Sequence, residues 1–133
     1  MKNFKLFALL SVLLLAACAP RAVPAPEATF YKGTKLELYA AAIEAISTSP
    51  GIDNSSGWVI RQSDSEGGFV SAQTTVETFG LFGIKTGERI ETLSVVISEA
   101  GENRTQVVIQ RTEGAGDLSQ RVRQQLDAKF NRA

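Results

Sequence analysis

Histidine is absent from this chain of 133 residues, and cysteine, methionine and tryptophan occur once each. Without imidazole there is no serine–histidine or cysteine–histidine pair, and no imidazole ligand for a metal. A lone cysteine, Cys18, has no partner in the chain for a disulfide. Neither sign of charge dominates, since fourteen Lys and Arg face fourteen Asp and Glu. A chain without a basic excess has no strong field to draw nucleic acid, and no basic cluster stands out that would grip phosphate or anionic lipid. Long apolar runs are scarce too. The longest covers residues 4–17 and is interrupted by Lys5 and Ser11. That is short of the roughly 20 residues a helix needs to cross a bilayer core about 30 Å thick.

The same run has the layout of a cleaved export signal: Lys2 and Lys5 give it a positive start, its centre is apolar, and small residues precede its end. It closes on Leu15-Ala16-Ala17-Cys18, which resembles the lipobox of bacterial lipoprotein signal peptides. The resemblance implies that residues 1–17 are removed and that Cys18 carries lipid and becomes the new N-terminus, anchored in a bacterial membrane. Ala19, rather than aspartate, follows the cysteine. By the same resemblance this implies the outer membrane of a Gram-negative cell, facing the periplasm. Loss of the leader removes two lysines, leaving twelve basic against fourteen acidic residues, a net charge of −2 over 116 residues. That length suits one domain with one core.

Three prolines, Pro20, Pro24 and Pro26, punctuate the stretch up to Thr29. Proline lacks an amide donor and fixes φ, so residues 18–29 are expected to be a lipidated N-terminus and tether outside the fold. Extended at about 3.1 Å per residue, that tether reaches near 30 Å. The domain is expected over 30–133. Thr34 and Glu37 have the spacing of a capping box, and Leu36, Tyr39, Ala40, Ile43 and Ile46 follow at helical spacing, which predicts a helix ending near Thr48, ahead of Pro50. Four strands are predicted next, at 58–62, 69–78, 89–99 and 104–112. Asp117 with Gln120 suggests the cap of a last helix, whose apolar stripe is Leu118, Val122, Leu126 and Phe130.

The order α-β-β-β-β-α with short polar turns predicts an α+β fold, a four-stranded antiparallel meander with the N-terminal and C-terminal helices on one face. Trp58, Ile60, Val70, Ala72, Val76, Leu93, Val95, Ile97, Val107 and Ile109 form the expected inward set. The opposite phase mixes Arg61, Gln73, Thr75, Ser94, Gln106 and Gln110 with Val59, Phe69, Val96 and Val108.

No catalytic constellation, cofactor motif or metal site emerges. Asp64 and Glu66 lie in a turn without the acidic repeat of a calcium loop. Glu88 and Glu91 are three apart on a strand and so face opposite sides. Gly80-Leu81-Phe82-Gly83 is not followed by the lysine and hydroxyl of a phosphate loop. No enzyme activity is therefore expected.

Gly57-Trp58-Val59-Ile60, then Asp64, then Gly68-Phe69-Val70-Ser71-Ala72, resembles small bacterial lipoproteins of the envelope. The overall layout is also similar to the helix-grip domains in the lipoprotein C subunit of the outer-membrane β-barrel assembly machinery. The resemblance implies a non-enzymatic structural or protein-interaction role, with the membrane and another envelope protein as partners. A binding protein for a small apolar or lipid ligand is the alternative. One stretch lies outside any such pattern. Phe79, Leu81, Phe82 and Ile84 put four large apolar side chains where a hairpin connection is ordinarily polar. Either they pack on the domain's own core edge, or they meet a partner or the membrane surface, for instance as a docking tip for another envelope protein.

Overall fold

The computed structural model describes residues 23–133; the expected leader and Cys18 lie outside the described residues. Five strands form one antiparallel sheet: β1 (Glu27–Lys32), β2 (Val59–Asp64), β3 (Phe69–Phe79), β4 (Lys85–Glu99) and β5 (Arg104–Arg111). Their order across the sheet is β1-β5-β4-β3-β2. Two helices complete the chain, α1 (Lys35–Thr48) between β1 and β2, and α2 (Gly116–Lys129) after β5. The α+β class stands, but the sheet has five strands rather than four, and a strand rather than a helix opens the fold.

The extra strand corrects the tether. Glu27, Ala28 and Thr29 belong to β1 and pair with Ile109, Val108 and Val107 of β5, so the sheet takes in the last three residues of the expected tether. Glu27 also forms an ion pair with Arg123 of α2. Tyr31 points inward and is fully buried, donating its hydroxyl to Asp127 at 2.9 Å. Burial first, and that hydrogen bond second, push the phenol up to about 12. The free edge of β1 is covered by the C-terminal residues. Lys32 donates its amide to the Asn131 carbonyl, and the Ala133 amide donates to the Phe30 carbonyl. Arg132 forks onto the Asp127 carboxylate, which holds that group below the usual aspartate range.

Helix α1 begins as its sequence dictates. The Thr34 side chain accepts from the Glu37 amide while the Glu37 carboxylate accepts from the Thr34 amide, so two otherwise unpaired donors are satisfied. Its buried face matches the expected one in part: Ile46 is buried, and Tyr39 and Ile43 pack partly buried against the core. Leu38, Ala41, Ala42, Ala45 and Ile46 are buried, whereas Leu36 and Ala40 are exposed. Small side chains let the helix lie close over the sheet, and three alanines carry no bulk by which a sequence reader could rank that face first. Helix α2 buries the expected Leu118, Val122 and Leu126, with Phe130 partly buried. Asp117 does not cap it. A 3₁₀ turn at Glu113–Ala115 leads straight into the helix, and Asp117 stands in its first turn, where a carboxylate meets the positive end of the dipole.

The inward set of the sheet is as expected for β3, β4 and β5, where eight residues from Val70 to Ile109 are at most 5% exposed. Trp58 and Ile60 are only partly buried at the rim. Apart from Val76, which is buried beside the loop after α1, these residues and both helices make one core. The Leu93 side chain is fully buried at its centre. Leu93→Asp places an unpaired charge there and should destabilise the domain by several kcal/mol, of order 3–5. Thermal melting with the parent as reference measures this, and an unchanged melting temperature would refute the assigned face.

Candidate functional site

Strands β3 and β4 outrun their neighbours. β5 pairs with β4 only from Leu93 to Glu99, and β2 reaches only Gln73 of β3. Residues 75–90 therefore continue as a two-stranded arm, with Thr75 opposite Ile90 and Phe79 opposite Lys85. The β3 side of its base is braced by the loop after α1. The Ser56 amide donates to the Thr75 carbonyl, the Glu77 amide to the Asn54 carbonyl, and Ser55 bridges to Val76. The β4 side is braced by Glu91.

Beyond those braces the arm is free. Its turn is closed by the Gly80 amide donating to the Ile84 carbonyl at 2.8 Å, and the Ile84 amide donates back to the Leu81 carbonyl. Phe79, Leu81, Phe82 and Ile84 are 46%, 84%, 96% and 64% exposed. The four residues singled out from sequence thus come together at the tip, and they do not pack on the core edge. Phe82 has φ +60°, a left-handed conformation unfavourable for a bulky L residue. Gly83 follows at φ +69°, where glycine fits without cost. Neither burial nor backbone preference inside the domain accounts for phenylalanine at 82. Ile90, 58% exposed, adds a fifth apolar side chain on the arm. Its phase, even where Leu93, Val95 and Ile97 are odd, was the available signal. Lys85 lies 3.2 Å from Glu77 and 2.7 Å from Glu88, so the lysine charge beside the tip is neutralised locally.

Among the described residues, Glu91 is the buried charge, 7% exposed. It accepts from the Thr112 hydroxyl, the Gly114 amide at 3.0 Å and Arg89 Nε at 2.9 Å. Burial opposes its ionisation, but the bonds from Thr112, Arg89 and Gly114 together outweigh that and hold the carboxyl below the usual glutamate range. Every contact to it is structural: it ties the root of the arm to the turn that starts α2. Glu88 faces solvent, as its spacing from Glu91 required.

Other candidates resolve into structure. Asp64 Oδ1 accepts from the Glu66 and Gly67 amides at 3.1 and 2.9 Å, which makes it the pivot of a turn rather than a cation ligand. Gly68, at φ +70°, sits where any Cβ would strike the Ile97 carbonyl. Among the described residues no cluster of acidic or sulfur side chains could hold a metal. A cleft of about 570 Å³ opens between the loop after α1 and the start of α2. Trp58, Ile52 and Leu118 line it beside Asp53, Asp117, Gln120 and Arg121, so its wall is largely polar. No described helix is long and apolar enough to cross a membrane.

The Glu91 network gives a pH signature. A carboxylate whose folded pKa lies below its unfolded value, about 4.3, stabilises the fold above that value and loses the effect as pH falls through the folded pKa. Glu91→Gln should lower stability by about 1–3 kcal/mol at pH 7. The gap between parent and variant should narrow as urea midpoints are taken from pH 5 to pH 3. A gap that stays constant over that range would remove the carboxylate from the account.

No protein-family model matches this chain. The comparison with curated proteins returned no significant relative. Among solved structures the chain is similar to TTHA0849 from Thermus thermophilus, at 12% identity over 78% of this chain and 86% of that one. The TM-score is 0.32, too low for the likeness to carry an argument about fold or function.

Proposed function

We propose that this protein is a lipid-anchored lipoprotein of the bacterial envelope, held to the periplasmic face of the outer membrane through Cys18, and that it works by contact rather than catalysis. The observation that carries the contact reading is the arm, which presents Leu81 and Phe82 to solvent on a strained turn. Burying one such side chain is worth about 1.5–3 kcal/mol, so a binding surface gains directly by covering this tip. The anchor rests on the sequence of the leader and Cys18. The alternative, a carrier of a small apolar ligand, is less well supported, because the space between helices and sheet is filled by core side chains and the open cleft is lined mainly by polar ones.

Two variants test the reading separately. Cys18→Ser should move the protein from the membrane to the soluble fraction, and retention through a salt wash would refute the anchor. Leu81→Ser combined with Phe82→Ser removes no buried contact, so the melting temperature should stay within about 2 °C of the parent. The same pair should abolish the crosslinks that a photoreactive residue at position 84 forms in intact cells. A melting temperature several degrees lower would mean that the tip packs on its own domain, and the contact reading would fail.

A further inference from the structure

We infer that the occupant of the arm's tip is the bilayer itself, the same membrane that holds Cys18, and this rests on the anchored reading above. Glu27, the first residue of β1, is level with Ile109, which is level with Val95 of β4. β1 runs away from the arm, so the chain before Glu27 leaves the sheet at the end from which the arm projects. Along β4, Lys85 stands ten residues beyond Val95, about 33 Å at the strand rise. Two inter-strand twists of about 20–25° each shorten that projection to about 25 Å. The nine steps from Cys18 to Glu27 span at most about 30 Å. A lipid on Cys18 and the tip of the arm therefore reach one plane.

The chemistry of the tip suits that plane. No charged residue occurs from Thr78 to Ile84. The turn closes through its own backbone bonds between Gly80, Leu81 and Ile84, which limits the polar groups it would carry into a lipid interface. The arm carries Glu77, Glu88 and Glu91 against Lys85 and Arg89, a balance of −1. Attraction is thus apolar and needs no anionic lipid. A single lipidated residue leaves a domain free to tumble about its tether, whereas a second contact fixes which face of the domain looks away from the membrane.

The test uses the full chain purified from membranes and reconstituted in phosphatidylcholine vesicles. In a Trp58→Phe background, Phe82→Trp should give a fluorophore quenched by brominated phosphatidylcholine, and the quenching should persist in high salt. Glu102→Trp, in the turn at the far end of the sheet, should not be quenched. Mass spectrometry of the N-terminal peptide separates the two readings. Lipid on Cys18 with no quenching at position 82 overturns the tip contact alone. An unmodified Cys18 overturns the anchor, and the shared plane with it. A photoreactive group at position 82 that attaches to lipid in native membranes supports the proposal, and attachment to a protein instead overturns it.

Discussion

Unequal strand length shapes this protein more than any single contact. β4 has fifteen residues and β3 eleven, while β5 has eight and β2 six. An antiparallel sheet ends where its neighbours end, so the surplus of the two central strands leaves the layered body as a ribbon with no helix over it. A two-stranded ribbon is marginal alone in water. Its root consequently needs support on both sides. The irregular segment at 54–56 supports β3, and Val76 beside it is only 3% exposed. Glu91, Thr112 and Gly114 support β4. Features that look accidental along the chain, a positive φ at Asn54 and a buried carboxylate, belong to that one requirement.

What local chemistry determines was legible in the sequence. The Thr34–Glu37 cap, the alternation of Leu93, Val95 and Ile97, and the four-residue stripe of α2 each follow from side chains a few positions apart. β1 did not announce itself. It is six residues long, follows two prolines closely, and its partner β5 lies about eighty residues away, so no neighbouring pattern marks it as a strand. The buried face of α1 was legible only in part, through Tyr39, Ile43 and Ile46, for a different reason: three alanines make close approach possible, yet hydrophobic bulk ranks them below the exposed Leu36. The apolar tip was visible as composition. Its exposure was not, because burial is decided by what the rest of the chain places nearby, and none of the other described elements covers the tip.

On the proposed reading, a small apolar tip and the lipid on Cys18 would reinforce each other. The tip alone would give a weak, reversible hold, as a single acyl chain does, whereas two chains anchor stably. Tethering turns the second encounter into an intramolecular one, with an effective concentration set by tether length. The tip can then act with a patch far smaller than the roughly 800 Å² per partner of a free-standing protein interface.

The closure of β1 by residues 131–133 bears on when this domain can form. The first strand of the sheet has no partner until β5 is available, and its outer edge has no cover until the C-terminal residues arrive. A chain emerging from its N-terminus onward would therefore hold Glu27–Lys32 unpaired until β5 has been made. On the proposed reading of a chain exported behind a leader, that order would keep its first strand extended until β5 is across. The outer edge of that strand closes last, when residues 131–133 reach it.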